Sequence, residues 1–249
     1  MKLSSAFLAL GATLAACLAP ASGGAQTAPR AVVELFTSQG CASCPPADAA
    51  LVEMARDPDL LALTLPVDYW DYLGWADTLA DPAHTARQRG YAEARGDRMV
   101  FTPQMVVNGT FACIGSKPAD VADALERARA EVAASGERLP VPVAVEVAAG
   151  EARIDVGAGT GDAGAPADVW LLAVAREEEV AIGRGENSGR HATYANVVRG
   201  MTKVGEWTGE ARTWRHALAG RGDFHVVLVQ TRDGDHPGPI VGAGRSDAR

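Results

Sequence analysis

Positive charge is in short supply in this chain: 23 lysines and arginines stand against 31 aspartates and glutamates, for a formal net charge of −8 at pH 7. No basic patch appears, which excludes the electrostatic footprint of a nucleic-acid binder and weakens any general attraction to anionic lipid. Cysteine is scarcer still, with four residues in 249. The single C-x-x-C, Cys41 to Cys44, is followed by no second C-x-x-C and no H-x3–5-H, so a zinc site would lack half of its ligands. No Met-rich or Cys–His cluster accompanies it, and copper delivery therefore ranks last among the readings of this motif. No metal and no cofactor is expected.

What is present begins with an export pattern. Met1–Lys2, an apolar run of small residues over 3–18 and the small residues 19–25 read as a secretory signal peptide with a cut after Ala25 or Ala21. The run is too short and too weakly flanked for a stable transmembrane helix. Leu14–Ala15–Ala16–Cys17 also resembles a bacterial lipobox, in which Cys17 would carry lipid and hold the protein to a membrane. Removing residues 1–25 takes away one lysine and leaves a formal charge of −9. The expected location is periplasmic or secreted, with an outer-membrane lipoprotein as the alternative. Cys41, Cys44 and Cys113 then remain, an odd number for an oxidising compartment. Cys113 reads as a buried apolar filler or as a third redox partner.

The stretch Ala31 to Pro46, AVVELFTSQGCASCPP, carries the chemistry. Val32, Val33, Leu35, Phe36 and Thr37 predict a strand, Ser38–Gln39–Gly40 a turn, and Pro45–Pro46 the first turn of a helix, where proline is tolerated. A helix N-terminus offers unpaired N–H groups and partial positive charge to an anion. The anion here is a thiolate, whose pKa at such positions falls to roughly 3.5–7.5 from about 8.5. Cys41 is the expected nucleophile and Cys44 the resolving thiol. A closed disulfide that never turns over is the alternative.

Further along, Leu60 to Val67 predicts a buried strand that empties into Asp68–Asp77, where four aromatics and three acids share ten residues. Tyr69, Trp70 and Trp75 can line a substrate groove beside the thiols, or form a satellite apolar cluster. Pro82–Arg95 predicts a helix with a stripe of His84, Arg87 or Gln88, Tyr91 and Arg95; its cations lower a thiol pKa if they face it, and are otherwise solvated. Pro103 precedes an apolar strand, a place proline accepts only at the strand's first residue, and Asn108–Gly109 predicts a hairpin turn. Lys117–Ser135 predicts an amphipathic helix capped by Ser116. After Leu139 the texture changes to short β-type runs over 141–147, 152–156, 169–174, 193–204 and 224–230, which predict a small sandwich. Residues 183–194 form its most polar part, which reads as a hydrogen-bonded loop joining strands or as a site where Glu186, Arg190 and His191 bind a partner or contact the first half of the chain.

The strings VVELFTSQGCASCPPAD, VDYWDYLGWAD, ARQRGYA, FTPQMVVNG and GENSGRHATYANVVRG resemble a family of secreted bacterial proteins grouped as domain of unknown function 1223, taken as thioredoxin-like, from about Val32 onward. The resemblance implies a fold and an expectation of thiol chemistry. It implies that Thr102–Pro103 is a cis-proline loop facing the cysteines, where an ordinary trans-proline strand start is the alternative. It also implies that Glu34 is a buried acid beneath them that accepts the proton of the resolving thiol; the strand pattern itself leaves a strand-end carboxylate facing solvent as the alternative.

The expected architecture is an α/β thioredoxin-like domain over 30–137, with a helical insertion at about 68–98, followed by a small all-β, sandwich-like domain over 139–249. The expected function is an exported thiol–disulfide oxidoreductase acting on protein thiols and disulfides, with catalytic residues Cys41, Cys44, Thr102, Pro103 and Glu34. A non-catalytic binding or scaffold protein of the cell envelope is the rival reading.

Overall fold

The structure is a computed structural model that describes residues 28–133, 136, 138–159, 166–218 and 222–246. The signal-peptide and lipobox readings, Cys17 included, fall outside the described residues.

Two apolar runs start the fold. Strands β1 (Ala31–Thr37) and β2 (Leu60–Pro66) are buried along their whole length and pair in parallel from Ala31↔Leu60 to Thr37↔Pro66. Parallel pairing needs a crossover, and helix α1 (Pro45–Met54) supplies it. Strand β3 (Gln104–Val107) runs antiparallel on the other edge of β1 and turns into β4 (Phe111–Ile114). The turn is made at Asn108 and Gly109, both with positive φ (49° and 73°), the conformation that an Asn-Gly hairpin turn requires. Helix α2 (Pro82–Ala94) is capped by Asp81, whose carboxylate accepts from the Ala83 N–H at 2.8 Å. Helix α3 (Pro118–Val132) starts from Lys117 rather than from Ser116 and has no side-chain cap.

Alternation along β1 divides the core in two, because successive side chains point to opposite faces. Val33 and Leu35 pack with Ala47 and Leu51 of α1 and with Val121, Ala124 and Ala128 of α3. Val32 and Phe36 pack on the other face with Tyr91 of α2. That same cluster takes in Leu172, Phe224 and Leu228 from the second half of the chain.

This second half corrects the expected fold class. The chain is mostly β, and an α/β thioredoxin-like domain followed by a small separate β domain is not what forms. The strands are β5 (Val143–Ala148), β6 (Glu151–Val156), β7 (Ala167–Ala181), β8 (His191–Trp207), β9 (Arg212–Ala217), β10 (Phe224–Asp233) and β11 (His236–Arg245). Four of them extend the first sheet, giving one mixed eight-stranded sheet in the order β11-β10-β7-β8-β2-β1-β3-β4. The other three form an antiparallel sheet, β5-β6-β9, that buries Val143, Val145 and Ile154 against Val169, Leu171, Val227 and Val229.

The seam has a physical cause. Strand β2 is apolar on both faces and offers a backbone edge on each side, and β8 occupies the side that β1 leaves open. Thr64 on β2 pairs with Val197 on β8, the Thr64 hydroxyl donates to Ala195 O (2.6 Å), and the Asn196 side chain donates to Ala62 O (2.9 Å). Strands β7 and β8, 15 and 17 residues long, run on past the sheet and form an arm against α1. Strand β11, with two prolines and three glycines, reads as irregular by propensity, but it lies at the sheet edge, where a missing N–H costs no ladder bond. Its Gly242 and Gly244 admit no side chain: a Cβ there would lie 2.7 and 2.6 Å from the carbonyls of Val141 and Val143.

Candidate functional site

Cys41 and Cys44 are joined in a disulfide, with their Cα atoms 5.4 Å apart, at the head of α1. Cys44 is the N-cap residue, and its carbonyl accepts from the N–H groups of Ala47 (2.8 Å) and Asp48 (3.1 Å). Pro45 and Pro46 have no N–H to offer. The helix start therefore presents fewer free donors to a thiolate than its position in the sequence suggests. The hydroxyl of Ser43 stands in, lying 3.5 Å from Cys41 Sγ and able to donate to that sulfur once it is reduced. Ala42 and Ser43 are exposed. Cys41 keeps 3 % of its surface in contact with solvent and Cys44 none, which places the site deeper than an open nucleophile would lie.

Glu34 does not lie under the cysteines. It points to the α2 face of β1, wholly buried, with Arg87 bound to its two oxygens (Nε–Oε1 2.6 Å, Nη2–Oε2 3.1 Å) and the Tyr91 hydroxyl donating to Oε2. Arg87 also donates to Tyr91 Oη (2.7 Å), which accepts from Gln230 on β10 (2.9 Å). His84, Arg87, Gln88 and Tyr91 of the α2 stripe are thus buried rather than solvated, while Arg95 is partly exposed and pairs with Asp97 (2.9 Å). Burial opposes the charge on Arg87, but the adjoining Glu34 carboxylate more than offsets this and holds the guanidinium charged above its ordinary range. His84 is fully buried, bonded through Nδ1 to Pro66 O (2.8 Å), and burial lowers its pKa.

The acid on the cysteine side is Asp48. It follows Cys44 by one helical turn on the same helix face, is 7 % exposed, and accepts from the Thr37 hydroxyl at 2.6 Å. Burial, the larger cause, and the nearby Asp77 carboxylate outweigh that hydrogen bond and push its pKa up to about 7 from 3.8. Burial likewise raises the Asp77 pKa. The Asp77 carboxylate fastens the turn before Cys41, accepting from the Gln39 N–H (2.8 Å).

The aromatic loop does reach the cysteine turn. Trp70 packs its Cβ against Gly40, where an added Cβ would come within 3.3 Å, and donates from Nε1 to Thr102 Oγ1 (2.8 Å). Trp75 donates to Gln39 Oε1 (2.8 Å) and packs against Gly183 and Gly185 of the loop between β7 and β8. Tyr69 stacks at a tilt on Trp70, with 6.0 Å between ring centroids, and burial raises its pKa. The Thr102–Pro103 peptide bond is cis, and Thr102 O accepts from the Ser43 hydroxyl at 3.4 Å.

One residue closes the turn from far along the chain. Asn187 is 2 % exposed, and its amide donates to the carbonyls of Gln39 (3.0 Å) and Cys41 (2.9 Å), 146 residues from the latter. The polar loop over 183–194 had pointed to Glu186, Arg190 and His191, all three exposed; Arg190 and His191 line a cleft of about 540 Å³ between α1 and the β7–β8 arm, with Asp48 and Tyr194 also in its wall. Asp48 was discoverable from its place four residues after Cys44. No spacing rule points to Asn187. Cys113, half-buried on β4, is a free thiol whose pKa burial pushes up to about 11, a value suited to an inert filler. Among the described residues no cluster of histidine, cysteine and acidic side chains could hold a metal ion.

The profile of a family described as "Protein of unknown function (DUF1223)" matches residues 32–230. A protein of Agrobacterium tumefaciens solved by X-ray crystallography is similar throughout, at 38 % identity over 89 % of this chain and 96 % of that one, with a TM-score of 0.75. No curated protein matches.

Proposed function

The chain belongs to the DUF1223 family, and from that premise and the geometry of the site we propose that it is an exported thiol–disulfide oxidoreductase acting on protein thiols. One observation carries the reading: a disulfide at a helix start with a buried acid, poised near neutrality, one turn behind it. When a substrate thiolate attacks Cys41, the Cys41–Cys44 bond breaks and Cys44 leaves as a thiolate. Asp48, protonated up to about pH 7 and one helical turn on from Cys44, gives that thiolate its proton and takes it back when Cys44 re-forms the bond. A second substrate thiol then releases Cys41, so that the substrate gains a disulfide and the protein gains two electrons; the reverse sequence reduces a substrate. An oxidising compartment, in line with the export pattern of residues 1–25, is where such a bridge persists.

Enclosure favours a second reading. Cys44 is inaccessible and Asn187 straps the turn, as in a bridge that merely braces a non-catalytic binding protein. The reduction potential separates the two, measured against glutathione alongside insulin reduction. A potential between about −270 and −120 mV with insulin turnover lost in Cys41→Ser supports exchange; one below about −300 mV without turnover marks a structural bridge.

A further inference from the structure

Tyr72, Leu73, Met99 and Val100 are large apolar side chains left in water, at 78, 41, 60 and 36 % exposure. Exposed apolar residues scattered singly need no explanation, whereas a grouped set marks a contact surface. These four fall on two segments that are both tied to the disulfide loop, whose Ala42 and Ser43 are exposed. Tyr72 and Leu73 sit on the single turn Asp71–Leu73, which is anchored to the cysteine turn twice: through Trp70, packed on Gly40, and through Asp77, whose N–H donates to Asp71 Oδ1 (3.0 Å) and whose carboxylate accepts from Gln39. Met99 and Val100 lead into Thr102, which bonds both Ser43 and Trp70.

Neither segment is exposed through slackness. Gly74, at φ 93°, ends the Asp71–Leu73 turn, and the Leu73 N–H is bonded to Trp70 O (3.0 Å). The backbone of Met99 is held at both ends, by Asp97 Oδ1 (2.9 Å) and by Arg95 Nη2 (3.3 Å), while Arg95 and Asp97 are themselves paired at 2.9 Å. Two fixed segments, each bonded or packed to the disulfide loop, thus present apolar side chains to solvent.

We propose that this rim is a docking surface for an extended protein segment whose cysteine is flanked by apolar residues, as in a client not yet folded. The inference rests on the exchange reading above and specifies its substrate. The occupant follows from chemistry: the rim is built on segments bonded to a disulfide loop, so its partner carries a thiol or disulfide, and four apolar side chains select apolar neighbours beside that sulfur. In the reduced protein, Cys41 attacks the client's disulfide and expels one sulfur as a thiolate. Cys44 then displaces the client from Cys41, the Cys41–Cys44 bond re-forms, two electrons pass to the client, and the two protons of the dithiol go to the released thiols or to solvent.

The test uses the reduced full chain and three probes carrying the same 5-thio-2-nitrobenzoate leaving group: a pentapeptide with leucine and phenylalanine flanking its cysteine, one with serine and asparagine there, and cysteamine. The expected result is release about tenfold faster from the apolar peptide than from the polar one, a preference that Tyr72→Ser with Met99→Ser brings close to one without changing the cysteamine rate. Equal rates for the two wild-type peptides, with cysteamine still reacting, overturn the docking surface and leave exchange intact. Failure of all three probes overturns the exchange reading itself. Retained preference in the double variant, together with loss of a wild-type dimer or of flotation with phosphatidylcholine vesicles, assigns the rim to a second copy or to lipid and overturns the proposal.

Discussion

Asp48 is an acid that the fold keeps from water beside a disulfide, and its titration has a sign that can be checked. Its folded pKa, about 7, lies above its ordinary value of 3.8, so the charged form is the disfavoured one in the native state. Stability from this group is fully present below about pH 3.8 and is lost as pH rises through about 7. Asp48→Asn removes the titration while keeping an oxygen for the Thr37 hydroxyl. Urea midpoints of the oxidised proteins should coincide near pH 4 and separate by pH 8, with the variant more stable there by about 1–4 kcal/mol; parallel curves would show that Asp48 does not titrate in this range. The family resemblance points to Glu34 as the acid near the cysteines, whereas alternation along a strand separates two faces without telling which of them the cysteine helix will cover.

Helix α2 shows how an element gains its role from what it covers. By periodicity its polar stripe looked solvated; in place it supplies Arg87 and Tyr91 to the buried Glu34, while Gln88 bonds Phe101 O (2.8 Å) and Gln104 Oε1 (2.9 Å), steadying the segment that enters Pro103. A buried ion pair contributes little over a well-packed apolar pair, yet breaking it strands a charge. Arg87→Met should therefore destabilise the protein by about 3–5 kcal/mol, and Glu34→Gln with Arg87→Met by clearly less, as read from urea unfolding at pH 7. The reduction potential of the cysteine pair should be the same in the double variant as in the wild type, because Glu34 lies on the far face of β1. A shifted potential would return Glu34 to the redox chemistry. Strand β11 was missed for a related reason: proline and glycine argue against a strand until its place at a sheet edge is known.

For the whole molecule, the decisive contact is β8 against β2. Residues from both sides of Leu139 share one eight-stranded sheet and one apolar cluster, in which Val32 and Phe36 meet Leu172, Phe224 and Leu228. Neither half covers that face of β1 and β2 alone. The full chain should thus unfold in urea as one transition, coincident by tryptophan fluorescence and far-ultraviolet circular dichroism, and residues 28–138 produced alone should lack a cooperative transition. Two separated transitions in the full chain would show that the halves are independent.

Local sequence was enough for what depends on neighbours along the chain: strand β1, the start of α1 at the cysteines, the Asn108–Gly109 turn and the family itself, because propensity, proline placement and motif spacing act over a few residues. Tertiary structure alone decided which strand lies beside β2, which face of β1 the cysteine helix covers, and that Asn187 binds the carbonyls of Gln39 and Cys41. Each of these joins groups brought together by the closing of a sheet or the crossing of a helix. Residue spacing carries no record of which surfaces will meet.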